Sequence, residues 1–362
     1  MSPGDLIQSR YRLIRLLGSG ASGAVWHARN ELIDRDVALK IMRPDVAEDA
    51  VALQRFFNEA KASGRVRSPS IVEILDLGQA EDGSPFLVFE LLEGEGLDEK
   101  LRREGTIAPE PLLEMFVGVA KALEIAHANG IIHRDLKPAN IFIGKSSTGQ
   151  PVAKILDFGI SKVFDTGHNF TLTRTGTVVG SPAYMSPEQA GGREDIDGRA
   201  DIWSLGVVMY EALTGTLPHQ AANYNALMVR ILTQDSDPVM TRKPDLPPGV
   251  CAIVDACLKR ERDERTSNSG LLSKQMDGAM REMKAVRFRA LGRRTTDRSV
   301  GETQRRASDL APPEEAPVTT ARAKPEGTGS LSLRSVVLLA AGAGVALGVV
   351  MLLLVMAVLG KH

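Results

Sequence analysis

His133-Arg134-Asp135-Leu136-Lys137-Pro138-Ala139-Asn140, followed further on by Asp157-Phe158-Gly159, is the stretch on which the reading of this chain turns. Asp135 can accept or orient a hydroxyl proton, and Lys137 can neutralise charge that builds up beside it. Asn140 and Asp157 offer hard oxygen donors, which magnesium prefers over nitrogen or sulfur. Each of these residues alone is explained as an ordinary surface side chain. The whole ordered set at these spacings is not.

Working outward toward the N-terminus, Gly18-Ser19-Gly20-Ala21-Ser22-Gly23-Ala24-Val25 lies between two runs that read as strands. Glycines let the backbone approach phosphates closely and adopt angles closed to other residues. A lone Gly-x-Gly-x-x-Gly is weak evidence, because a dinucleotide-binding turn shares it. That turn opens a helix, whereas AVWHARN, which follows here, reads as a strand. The context therefore predicts a β-hairpin flap over nucleotide phosphates. Val37-Ala38-Leu39-Lys40 on the next strand sets an ammonium where α- and β-phosphates would lie. Glu59, on the helix that follows, is the carboxylate expected to hold it.

The periodicity around these motifs changes along the chain. YRLIRLLG, AVWHARN, RDVALKIM, IVEILDLGQ and PFLVFELL are short apolar or β-branched runs bounded by turn residues, and they predict strands. VALQRFFNEAKASGRV interrupts them with helical spacing. Beyond Leu97 the pattern is mostly helical, with a long amphipathic run in PEPLLEMFVGVAKALEIAHANG and a nearly all-apolar one in DIWSLGVVMYEALTG. The pattern predicts an α+β chain, with a small sheet-rich lobe followed by a larger helical one.

With these motifs in order, the sequence resembles eukaryotic-like (Hanks-type) protein kinases, in particular the bacterial serine/threonine kinases, over residues 11–283. The resemblance implies the bilobal protein-kinase fold, ATP and magnesium (manganese in its place) as cofactors, and proteins as phosphoryl acceptors. It assigns catalysis to Asp135, Lys137, Lys40 and Glu59, and metal binding to Asn140 and Asp157. Gly18, Ser19, Gly20, Ala21, Ser22, Gly23 and Val25 would cover the nucleotide, with Ala38 beside Lys40. Phe89 would be the gatekeeper, and Glu90 and Leu92 would lend hinge backbone groups to adenine. GSPAYMSPEQ, from Gly180 to Gln189, resembles the substrate-positioning segment, and DIWSLG from Asp201 resembles the central helix. Arg265 falls where the family keeps the arginine that pairs with the residue here numbered Glu188. HRDLKPAN with Lys137 resembles serine/threonine rather than tyrosine kinases.

Three positions depart from the family pattern. Ser22 replaces the usual aromatic or methionine at the flap tip, Ser181 the usual threonine supporting Asp135 and Lys137, and Ser186 the alanine of Ala-Pro-Glu. None removes a catalytic group. A catalytically inactive kinase-fold membrane scaffold stays open as the alternative, and a small-molecule phosphotransferase is disfavoured by the intact Glu188 and Arg265. Arg134 directly before Asp135 implies, by the resemblance, control through the activation loop, which holds Thr171, Thr173, Thr175 and Thr177. A phosphate there brings about −1.5 to −2 charges that a guanidinium can clamp. Autophosphorylation at Thr173, Thr175 or Thr177, read by Arg134, is the expectation.

The formal net charge of −1 gives no argument for nucleic acid as a partner. That total hides a basic stretch from Arg281 to Arg306, within which Arg293-Arg294-Thr295-Thr296 and Arg305-Arg306-Ala307-Ser308 set hydroxyls behind paired arginines. Such a stretch is a phosphorylation target, a lipid-binding segment or a plain solvated linker. Cys251 and Cys257 have no second pair or nearby histidine to complete a metal site, and they read as buried thiols. No secretory signal opens the chain.

Composition divides the sequence into an N-terminal extension (1–10), the catalytic region (11–283), a basic Pro/Ala/Thr-rich disordered linker (284–334) and an uncharged apolar run (335–360). From Val336 to Leu359 that run would span about 36 Å as a helix, against a hydrocarbon core of roughly 30 Å. It predicts a single membrane pass, with the lipid bilayer as a partner. Arg322, Lys324 and Arg334 before the run outweigh Lys361 after it, so the catalytic region is expected on the cytoplasmic side. Gly344 and Gly348 form a small-xxx-small pair compatible with a homodimer.

Overall fold

The computed structural model describes residues 1–20, 23–43, 50–145, 149–158 and 181–308. Near the N-terminus the β-branched runs pair as a six-stranded antiparallel sheet. Its strands are β1 (Leu6–Ile7), β2 (Tyr11–Gly20), β3 (Gly23–Asn30), β4 (Arg35–Met42), β5 (Ile74–Gln79) and β6 (Pro85–Glu90). Their spatial order is β1-β2-β3-β4-β6-β5. All five runs read as strands form. β1 comes from the segment set apart as an extension, because Ile7 joins the apolar core of the sheet.

Alternation along the strands gives this sheet two different faces. Leu39 and Ile41 of β4, with Phe86 and Val88 of β6, enter one core with Tyr11, Leu13 and Trp26. Leu87 and Phe89 turn the other way and pack with Phe56 and Ala60 of α1 (Ala50–Ser63). Lys40 sits between Leu39 and Ile41, so the pleat sends it to this second face.

The helical lobe contains α2 (Leu97–Glu104), α3 (Pro109–Ala128), α4 (Pro187–Ala190), α5 (Arg199–Thr214), α6 (Tyr224–Thr233), α7 (Val239–Arg242), α8 (Pro248–Cys257) and α9 (Ser269–Ser308). A small sheet, β7 (Gly94–Gly96), β8 (Ile141–Lys145) and β9 (Pro151–Ile155), lies under the hinge between the lobes. Residues Ala200 to Tyr210 of α5 are all buried, as befits a helix apolar on every side. Gly206 lets α8 come close, since a Cβ there would meet the Cβ of Cys257 at 2.6 Å. Cys251 and Cys257 are both buried, unbridged thiols, and burial pushes Cys257 up to about 12.

Helix α9 corrects one expectation. It continues through Ser308, whereas composition predicts a disordered linker from residue 284. The stretch is rich in Arg, with Ala285, Ala290, Leu291 and Ala307 among them, all good intrinsic helix formers. The buried face of α9, with Leu272, Met276 and Ala279, stops before this stretch, and Val286 and Phe288 are 64% and 79% exposed, so an apolar-period test does not find the continuation. Residues Met1–Arg298 form one unit; of the second, Ser299–His362, the described part is the end of α9. The apolar run 335–360, with Gly344 and Gly348, lies outside the described residues, as does the linker beyond Ser308. Among the described residues no helix is long and apolar enough to cross a membrane.

Candidate active site

The loop carrying Asp135 is anchored from below by one buried carboxylate. Asp201 of α5, 0% exposed, accepts hydrogen bonds from the backbone N–H of His133 and of Arg134, each at 2.8 Å. His127 Nε2 lies 2.8 Å from the same carboxylate. Burial by itself would push this carboxyl up, but the bonds from His127 and His133 outweigh it and hold it below its usual range. Arg134 is thereby kept at φ 66° and Asp157 sits at φ 50°, both in the left-handed region that costs a non-glycine residue energy. The His133 ring sits edge-on to Phe158, with centroids 5.1 Å apart, and its Nε2 lies 2.9 Å from the Leu156 carbonyl. The two loops are thus fastened together at a shared histidine.

Above that anchor the expected catalytic groups converge. Lys137 Nζ donates to Asp135 Oδ2 at 2.7 Å. Asn140 Nδ2 donates to the Asp135 carbonyl at 2.7 Å and to its Oδ2 at 3.1 Å. With Nδ2 committed to Asp135, Oδ1 is the atom Asn140 has for a metal. Lys40 and Asp157 complete the cluster with an ion pair of 2.6 Å.

Lys40 is where the structure departs from expectation. Among the described residues, no ion pair joins it to Glu59; its ammonium is neutralised by Asp157 instead. Glu59 lies on α1 beside a small cavity of about 190 Å³, which Ile131 and Arg134 also line. Lys40 and Glu59 line different cavities, and the packing of α1 sets which carboxylate the ammonium meets.

Between the lobes lies a cleft of about 860 Å³. Gly18 and Val25 of the flap, Ala38 and Lys40 of β4, Phe89, Glu90 and Leu92 of the hinge, and Asp157 all line it, as the sequence reading expects. Ser19 and Gly20 pair with Ala24 and Gly23 to close the flap hairpin. Gly23 has φ 148°, and a Cβ there would fall 2.1 Å from the Ile41 carbonyl, so only glycine fits. Ala21 and Ser22 lie outside the described residues. The Glu90 carboxylate is held by Lys154 at 2.6 Å and by the Glu73 N–H at 2.9 Å, which steadies the hinge. Leu17, Val72, Phe142 and Leu156 also line the cleft, and no motif singled them out. They are ordinary apolar residues in sequence, and only folding gathers them around one space.

Glu188 and Arg265 meet as anticipated. Two parallel N–H···O bonds of 2.7 Å join them, with side chains 3% and 0% exposed. Arg265 also donates to the carbonyls of Lys259 and Arg260, and its guanidinium lies 5.1 Å from the Trp203 ring centroid. Tyr184, at the end of the 3₁₀ turn Ser181–Tyr184, donates to Glu211 of α5 at 2.7 Å. Ser186 caps α4, and Gln189 reaches from that helix to the Arg134 carbonyl at 2.7 Å. Gln189 stands in the GSPAYMSPEQ string without a role of its own there, and no motif singles out Glu211. Thr171, Thr173, Thr175 and Thr177 lie outside the described residues, as does the Ser181 side chain.

The donor set fits the cofactors implied for it. Magnesium is usually held by one or two carboxylates together with substrate phosphates, and Asn140 with Asp157 offers that pairing of hard oxygens. The cleft, apolar along Val25, Ala38, Phe142 and Leu156 and cationic at Lys40, suits a nucleotide.

This fold and this site define a protein kinase. The model of the protein kinase domain family matches residues 11–276, and the chain belongs to that family. The chain is 35% identical over 286 residues to the serine/threonine-protein kinase pkn3 of Myxococcus xanthus, covering 78% of this chain and 52% of that one. It is 38% identical over 263 residues to the serine/threonine-protein kinase PknB of Mycolicibacterium smegmatis, covering 72% and 41%. The serine/threonine-protein kinase PknA of Mycobacterium tuberculosis is 36% identical over 276 residues, covering 75% and 62%. The chain thus matches about half the length of these curated relatives. Among solved structures, the kinase domain of Mycobacterium tuberculosis PknI superposes with a TM-score of 0.59 at 23% identity, covering 77% of this chain and 99% of that one. That likeness bears on the fold. ATP and magnesium are the standard cofactors of the family.

Proposed function

We propose that this chain is a membrane-anchored serine/threonine protein kinase that moves the γ-phosphoryl group of ATP to protein hydroxyls. The observation that carries the reading is the convergence of Lys137 and Asn140 on the Asp135 carboxylate, within 2.7–3.1 Å. Asp135 orients the acceptor hydroxyl and takes its proton as the oxygen bonds to the γ-phosphorus and the bond to the β–γ bridging oxygen breaks, releasing ADP. Lys137 balances charge on the transferring group, and Lys40 does so on the phosphates behind it. Positioning and charge neutralisation are most of what phosphoryl transfer requires. Magnesium, where Asn140 and Asp157 hold it, supplies further neutralisation at the phosphate oxygens. Glu188 and Arg265 brace the segment that seats the acceptor.

In the working arrangement Glu59 takes over the Lys40 ammonium, releasing Asp157 for metal. Phosphorylation of Thr173, Thr175 or Thr177 by the enzyme itself, clamped by Arg134, favours that arrangement. The uncharged run 335–360 anchors the chain in the membrane with the kinase domain on the cytoplasmic side, and the Gly344/Gly348 pair brings two copies together. The basic stretch before it is attracted to anionic lipid.

The deciding experiment incubates the detergent-purified full chain with γ-labelled ATP and a generic basic protein, beside Asp135→Asn. Label on serine and threonine in the wild type, and its loss in the variant, is the expected result. Equal labelling by both proteins, or none by the wild type, would sink the reading.

A further inference from the structure

Ser186 and Gln189 form a hydrogen-bonded pair at the start of α4. Gln189 N–H lies 3.4 Å from Ser186 Oγ, and the Ser186 N–H and Oγ each lie 3.1 Å from Gln189 Oε1. Two donors on that oxygen settle which end of the carboxamide is which. The amide nitrogen therefore faces away from the cap, and it donates to the Arg134 carbonyl at 2.7 Å.

That carbonyl belongs to the peptide unit joining Arg134 to Asp135. Arg134 is left-handed at φ 66°, and Asp201 holds its N–H at 2.8 Å. Among the described residues, the Asp135 N–H has only the longer contact of 3.3 Å to His133 Nδ1. Among the described residues, Gln189 is the donor that fixes the carbonyl side of this peptide. Turning the peptide plane would swing the Asp135 carboxylate, and misplacement by about 1 Å can cost on the order of 10²-fold in rate.

We propose that Gln189 is a positioning residue for phosphoryl transfer, tying the peptide that carries Asp135 to the segment that seats the acceptor. The inference rests on the reading of Asp135 as the residue that takes the hydroxyl proton. It also gives Ser186 a purpose. The alanine usual at that position would keep the backbone N–H on Oε1, and the serine hydroxyl adds a second donor to it.

The test uses the full chain in detergent, with a serine-containing peptide as acceptor. Gln189→Leu keeps the size and removes the donor. It is expected to lower kcat by about tenfold or more while the KM for ATP stays within about twofold and thermal melting is retained. Gln189→Glu sets a carboxylate against the carbonyl when ionised and an O–H donor against it when protonated. Its kcat relative to wild type should recover as pH falls from about 8 toward about 5.5. Ser186→Ala should shift kcat in the same direction by a smaller factor. The proposal is overturned if Gln189→Leu keeps kcat within about twofold, or if kcat, ATP affinity and melting temperature fall together. Should that variant not fold, a flat relative pH profile for Gln189→Glu overturns it instead. Asp135→Asn is measured alongside. Wild-type turnover there defeats the reading of Asp135, whereas an inactive Asp135→Asn beside an unaffected Gln189→Leu defeats only the role of Gln189.

Discussion

The Lys40 ammonium and the Asp157 carboxylate form a 2.6 Å ion pair across the inter-lobe cleft, joining a strand of the sheet to the loop after β9. Both groups belong to the expected site, but the partner foreseen for Lys40 was Glu59. The Lys40 side chain is 11% exposed and that of Asp157 is 33% exposed, so the pair is shielded and of real consequence for which state the site adopts.

If Lys40 works on the phosphates, Lys40→Met should cut kcat by about 10²–10³-fold, the usual cost of deleting a charge-stabilising group. Glu59→Gln should lower kcat by about tenfold, because the variant cannot take over the Lys40 ammonium that Asp157 neutralises in the resting arrangement. Steady-state kinetics with a thermal melt checks both. Full activity in Glu59→Gln would show that no exchange of partners is needed.

Arg265→Ala leaves the Glu188 carboxylate buried beside an unfilled space. Breaking such a pair from one side costs about 3–5 kcal/mol, so melting should fall by on the order of 10 °C. Arg265→Lys should recover only part of this, because an ammonium cannot reproduce the paired 2.7 Å bonds. A loss under about 2 °C in differential scanning calorimetry would contradict the account.

The same pair sets a pH dependence. Burial pushes the Glu188 carboxyl up, but the hydrogen bonds and charge of Arg265 outweigh it and hold it below its ordinary value of 4.5. A carboxyl lowered in the folded state contributes stability that is complete above its unfolded pKa and lost as pH falls through the folded one. Denaturant melts should therefore show stability declining below about pH 4.5, with a shallower decline in Glu188→Gln. Parallel slopes for the two proteins would remove Glu188 from the explanation.

Replacing Thr173, Thr175 and Thr177 together with alanine should remove most turnover on a protein acceptor. Phosphopeptide mapping of the wild type after incubation with ATP should find phosphate on at least one of them. Arg134→Ala should blunt the difference between phosphorylated and dephosphorylated enzyme. An unphosphorylated loop in a fully active enzyme counts against this control.

Removing residues 335–362 should move the protein from the membrane fraction to the supernatant. Its turnover on a soluble peptide should stay within about twofold of the full chain, since the catalytic groups lie well before that segment. Retention in washed membranes after the deletion would defeat the proposed anchor.

Much of the fold was legible because local pattern and local need coincide. The five strand-like runs alternate against cores on both faces, and DIWSLGVVMYEALTG is apolar on every side because α5 is surrounded. Residues 284–308 are helical where composition predicts linker, for the complementary reason. Val286 and Phe288 there are exposed, and intrinsic propensity alone leaves a weak mark on a sequence. Leu17, Val72, Phe142 and Leu156 carried no signal as cleft residues, because their chemistry is that of any core side chain.

The sequence by itself determined the chemical inventory: Asp135, Lys137, Asn140, Asp157 and Lys40, with the Glu188–Arg265 brace that steadies their surroundings. Those residue types at those spacings admit few other uses. Tertiary structure alone decided how charges pair across the cleft, and there Lys40 meets Asp157 rather than Glu59. It alone revealed that Gln189 grips the Arg134 carbonyl. The reason is geometric. Which carboxylate meets an ammonium, or which carbonyl an amide reaches, depends on how α1 and α4 pack, and that is a sum over many weak contacts that no single motif records.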